Sequence, residues 1–100
     1  MNEDDFRQIL ENKLEECGYV PEEAVPPKFF IYDGNNEKLF NTEIEIVAIH
    51  DDETCLISVT FGSYEMTYAI SWNDAIKLID FICKSPEKMF EILKQYHKGD

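Results

Sequence analysis

Cys55-Leu56-Ile57-Ser58-Val59-Thr60-Phe61 and Tyr64-Glu65-Met66-Thr67-Tyr68-Ala69-Ile70 alternate in period two on either side of Gly62-Ser63. Alternation of this kind marks half-buried strands, and Gly followed by Ser suits a two-residue type II′ hairpin turn. The turn sets Phe61 opposite Tyr64, Val59 opposite Met66, Ile57 opposite Tyr68 and Cys55 opposite Ile70, all on one face. Upstream, residues 43–50 alternate as well. With Asp51 to Thr54 taken as a four-residue loop, His50 faces Cys55, Ala48 faces Ile57, Ile46 faces Val59 and Ile44 faces Phe61. A one-residue slip would expose this apolar set, so the agreement predicts an antiparallel meander with one buried side.

The flanking segments have helical spacing. From Asp4 to Cys17, Phe6, Ile9, Leu10, Leu14 and Cys17 recur at steps of three and four, with acids in the first turn and Gly18 as a stop signal. Ser71 with Asp74 fits a capping box, opening a helix with Ala75, Ile76, Leu78, Ile79, Phe81, Ile82 and Cys83. Ser85-Pro86-Glu87 then opens a last helix with Met89, Phe90, Leu93 and Tyr96 inward. Between helix and meander, Tyr19 to Pro27 holds Pro21, Pro26 and Pro27 and reads as a semi-rigid connector. Phe29–Tyr32 and Lys38–Phe40 flank Asp33-Gly34-Asn35-Asn36, which predicts a further hairpin. The expected fold is α+β: an N-terminal helix, an antiparallel β-meander of about four strands, and two C-terminal helices packed on the sheet.

One hundred residues suit one domain, 1–100, and leave no room for a catalytic domain beside a binding domain. Hydrophobic residues make up 44%, enough for a core. The opening Met1-Asn2-Glu3-Asp4-Asp5 has no basic or apolar targeting pattern, and no run of about 20 apolar residues suits a membrane span, so a cytoplasmic protein is expected. Cys17, Cys55 and Cys83 lack metal-ligand spacing, and buried free thiols are the reading preferred over a disulfide or a zinc site.

Charge points toward function. Twenty-one acids against nine bases give a net charge of −12, and the C-terminal helices carry none of the excess: residues 75–100 hold four acids and five bases. Such a field repels phosphate backbones, so direct nucleic-acid binding is not expected. The excess exceeds what solubility needs and suggests a basic partner. On the face away from the core, the register expected above sets Glu45, Thr60 and Glu65 side by side, then Val47, Ser58 and Thr67, then Ile49, Leu56 and Ala69. Either the first helix covers the apolar end, which is the expectation because that helix must bury its stripe, or the end is a binding or dimer surface. Trp72 is expected in the core.

No phosphate-loop, dinucleotide, zinc-protease or serine-hydrolase signature is present, so no enzyme, cofactor or metal site is expected. His50-Asp51-Asp52-Glu53 is the nearest approach to a metal or acid–base cluster, but it lacks the calcium-loop pattern and reads as an acidic turn. The expected function is a non-catalytic acidic protein that inhibits a basic nucleic-acid-handling partner. Glu43, Glu45 and Glu65 on the outer sheet face and Asp51, Asp52 and Glu53 in the loop are its candidate binding residues. In size, acidity, absence of catalytic motifs and α+β make-up the chain resembles small phage-encoded inhibitors, including anti-CRISPR and anti-restriction proteins. That resemblance is one of general character and assigns no residue roles. The alternatives are an immunity protein or antitoxin against a basic nuclease toxin, and a regulatory subunit that self-assembles as a homodimer through Val47, Ile49 and Leu56.

Overall fold

The structure, a computed structural model, describes residues 1–22, 27–31 and 42–96. Helix α1 (Glu3–Glu16) is followed by strands β1 (Val20–Glu22), β2 (Lys28–Ile31), β3 (Thr42–Ile49), β4 (Thr54–Phe61) and β5 (Tyr64–Ser71), then helices α2 (Trp72–Lys84) and α3 (Pro86–Tyr96). The strands form one antiparallel meander in chain order. This is the expected α+β fold with five strands in place of four. The added strand, β1, lies within the stretch read as a connector. Its Pro21 stands opposite Phe29 at the sheet margin, where a residue without an N–H is tolerated. The expected strand Lys38–Phe40 and its turn lie outside the described residues.

The β4–β5 hairpin has the expected register at every position, from Phe61 opposite Tyr64 to Cys55 opposite Ile70. Gly62 supplies the left-handed φ of 64° that the first central position of this turn requires. The β3–β4 pairing differs from expectation. Ile44 faces Val59 and Ile46 faces Ile57, two residues away from the expected partners. A shift of two preserves the inward face. Nearer the turn, a bulge between Ile46 and Ala48 brings Ala48 opposite Leu56 and Ile49 opposite Cys55, so Ile49 packs against the core and does not belong to the outer face. The loop has three residues, Asp51 to Glu53. It is closed by His50 N–H donating to the Thr54 carbonyl at 2.9 Å, with Glu53 left-handed at φ 65°. A three-residue hairpin loop ends in this way, on a left-handed residue that bulges the strand.

The inward side chains of β2 to β4 and the apolar stripes of all three helices form one cluster, in which Phe6, Leu10, Leu14, Ile44, Ile57, Val59, Phe61, Ala75, Ile79 and Leu93 are inaccessible to solvent. Asn2 caps α1 by accepting from Asp5 N–H, and Ser71 caps α2 by accepting from Asp74 N–H. At the end of α1, Gly18 takes a φ of 95°. Gly18 N–H and Tyr19 N–H then return to the Glu15 and Leu14 carbonyls, a Schellman turn that directs the chain into β1. Helix α1 therefore lies on the core side, beside α2 and β1, and the expectation that it covers the outer sheet face is wrong.

Helices α1 and α2 run side by side in the same direction. Phe6 stacks on Trp72 at 4.9 Å, Lys13 Nζ meets Asp80 Oδ1 at 2.8 Å, and Cys17 is joined to Cys83 by a disulfide across a Cα separation of 5.7 Å. The pairing corrects the reading of all three cysteines as free. Only Cys55 is a thiol, and it is buried. The parallel register of the two helices makes the bond, setting Cys17 and Cys83 side by side one helical turn beyond the ion pair. Trp72 is in the core as expected, its indole N–H donating to the Thr54 carbonyl at 3.0 Å.

Candidate functional site

The candidate acidic residues divide into two groups. On the outer face, Glu43 lies opposite Thr60 and Thr60 opposite Glu65, so one rung of three strands carries a carboxylate at each end. The next rung reads Glu45, Ser58, Thr67. Strand geometry spaces Glu43 and Glu45 about 7 Å apart along β3, and places Glu43 and Glu65 about 10 Å apart across β4. The backbone position of each Glu is thus fixed by a paired strand.

Local contacts orient these groups. Ser58, buried between its neighbours, donates to Glu65 Oε1 at 3.0 Å. Lys28 on β2, opposite Glu45, reaches diagonally to Glu43 Oε1 at 3.5 Å. Both side chains remain partly exposed, so the pair lowers the local field without removing it. Among the described residues, Glu45 enters no salt bridge. Lys28 was missed from the sequence because its place on this face depends on the pairing of β2 with β3, and β2 carries no alternation long enough to set its register.

Asp51, Asp52 and Glu53 occupy the β3–β4 turn, at the other end of the strands from Glu43 and Glu65. Ile49 lies six residue steps along the strand from Glu43, about 20 Å of extended chain. The structure therefore does not join the loop to the sheet group, and Val47, Ala48, Leu56 and Ala69 lie between them. Val47 is 38% exposed there. The loop acids also have structural work. Asp52 Oδ1 accepts from the Thr54 hydroxyl at 2.6 Å and from Thr54 N–H at 3.2 Å. The hydroxyl bond is the larger cause holding the Asp52 carboxyl below its usual range, with the N–H bond and His50 acting in the same sense. The Glu53 carbonyl accepts from Trp72 N–H at 2.9 Å, tying the turn to the first residue of α2.

A depression of about 330 Å³ at this end is lined by His50, Thr54, Cys55, Leu56, Ala69, Ile70 and Ser71. Its one thiol, Cys55, is pushed up to about 11 by burial, which suppresses the thiolate needed for nucleophilic chemistry. No group of three or more His, Cys, Asp or Glu able to hold a metal ion occurs among the described residues. Among the described residues, no helix is long and apolar enough to cross a membrane. In comparisons with protein-family models, curated proteins and solved structures, nothing matches this chain.

Proposed function

We propose that this chain is a non-catalytic cytoplasmic binding protein whose acidic sheet face occupies a basic, nucleic-acid-handling site on a partner and blocks it. The observation that supports this most is the placement of Glu43, Glu45 and Glu65 on paired strands of the face that none of the described helices covers. The paired strands fix the backbone from which these carboxylates project, so contact with a basic surface has only the side chains left to order. A net charge of −12 speeds encounter with a positive groove and keeps nucleic acid away. An anti-CRISPR or anti-restriction inhibitor and an immunity protein against a nuclease toxin use the same electrostatics, and the identity of the target separates them.

The test compares the wild type with the double variant Glu43→Lys/Glu45→Lys in capture of partners from lysate at low and high salt. The expected partner is a nuclease or other nucleic-acid-binding enzyme, released by salt, displaced by duplex DNA and bound at least about tenfold more weakly by the variant. Thermal stability of the variant should move by less than about 1 kcal/mol, because among the described residues the ion pair it breaks is the partly exposed one with Lys28. Capture should also survive reductant, since Cys17–Cys83 lies in the helical layer away from this face. Undiminished capture by the reversed variant overturns the reading.

A further inference from the structure

The corner where α1 gives way to β1 is anchored by side chains at two points. Between Leu14 and Phe29, Tyr19 is the one buried residue among those described, and every residue of β1 is exposed. The second anchor is the bond from Cys17, just ahead of β1, to Cys83. Cys83 belongs to α2, which Ala75, Ile79 and Ile82 hold in the core whether or not the bond is made. Opening the bond therefore leaves α2 in place and the corner dependent on Tyr19.

The two sulfurs are placed for exchange in the folded state. Cys17 and Cys83 are each half-buried, whereas Cys55 is 1% exposed. Cys17 Sγ lies 2.9 Å and Cys83 Sγ 3.8 Å from the Lys13 carbonyl oxygen, so after reduction both thiols have an acceptor where they stand. A disulfide within reach of solvent is the labile kind, and in a reducing compartment such a pair is transient or redox-sensing. That setting rests on the cytoplasmic reading above, and the exchange chemistry does not.

We propose that Cys17 and Cys83 form a redox latch on the β1 margin of the sheet. A reducing dithiol attacks one sulfur as its thiolate, forming a mixed disulfide and expelling the other cysteine as a thiolate. The second sulfur of the dithiol then displaces the first cysteine and closes its own disulfide. Two electrons pass to the protein, and the two cysteine thiolates take up the two protons that the dithiol lost. In the reduced state the last turn of α1, Gly18 and β1 open while the rest of the fold stays closed. Strand β2 then becomes the margin, with Phe29 and Lys28 released from Pro21 and Glu22. Oxidation closes the corner again.

The test uses the full-length protein with the pair oxidised. Native protein is treated with dithiothreitol, aliquots are alkylated with iodoacetamide over time, and the modified cysteines are located by peptide mass spectrometry. Cys17 and Cys83 should be alkylated at least about tenfold faster than Cys55, because exchange reaches them without unfolding the core. In the reduced protein, amide hydrogen exchange at Gly18, Tyr19, Val20 and Glu22 should accelerate at least about tenfold more than exchange in β4, and reoxidation should reverse it. Alkylation of all three cysteines in step means that the bond opens only by global unfolding, and overturns the latch. Exchange that accelerates equally at the corner and in β4 also overturns it, since the bond is then a staple for the whole fold. Failure of mild oxidation to pair the two cysteines, or of reoxidation to slow the corner amides, overturns it too.

Discussion

Glu53 holds a backbone conformation that costs an L-residue about 1–2 kcal/mol, and glycine adopts it freely. Allowing for the greater freedom that glycine has in the unfolded chain, Glu53→Gly should stabilise the protein by about 0.5–1 kcal/mol, seen as a rise in Tm. The Glu53 side chain is exposed and its carbonyl bond to Trp72 N–H is kept, so no lost packing subtracts further from the gain. The cysteines give a second residue-scale expectation. A thiol reagent should find no reactive group in the native protein, one after denaturation and three after denaturation with reductant, because Cys55 is buried and Cys17 is bonded to Cys83. Two reactive thiols appearing without reductant would exclude the disulfide. Burial raises the Cys55 thiol to about 11 and also raises the Tyr19 hydroxyl, so the stability they contribute is complete below their ordinary values and is lost as pH rises through the raised ones. Asp80, held down first by its hydrogen bond from Lys13, and Asp52, held down by Thr54, work in the opposite direction. Their contribution is complete above the ordinary carboxylate range and is lost as pH falls through their lowered values.

Among the elements, the α1–α2 pair is held by ring stacking, an ion pair and the disulfide in succession along two parallel helices. Cys83→Ser should therefore cost about 2–4 kcal/mol by denaturant unfolding, whereas Lys13→Ala should cost under about 1, since its ion pair is partly exposed. The β4–β5 register was legible because a Gly at the first turn position fixes hairpin pairing within two residues. The β3–β4 register was legible only as a parity. The hydrophobic pattern repeats every two residues and cannot separate a register from one displaced by two, and an extra residue at Val47 leaves no mark in that pattern. The strand at Val20–Glu22 was concealed by its proline, which forbids a central strand and permits an edge. The disulfide was concealed because a pairing across 66 residues depends on how two helices meet, which no local spacing encodes.

For the whole molecule, the excess of negative charge resides in α1, the sheet and its loops, and residues 75–100 balance their own. Self-repulsion of this size opposes the compact state, so added salt at pH 7 should raise Tm, with a shallower rise for Glu43→Lys/Glu45→Lys. A Tm that is indifferent to salt would show the carboxylates to be too well spaced for their repulsion to matter. The candidate carboxylates of the sheet could be assigned to the outer face from the sequence because that needs parity alone. Their separation from the loop acids was legible too, since the strand read at residues 43–50 already sets Glu43 and the loop at opposite ends. The bond between Cys17 and Cys83 closes about two-thirds of the chain, β1 to β5 included, into a covalent ring. A protease that cuts this ring once opens it without releasing a fragment, so the nicked protein keeps the size of the intact one on a denaturing gel until reductant divides it in two.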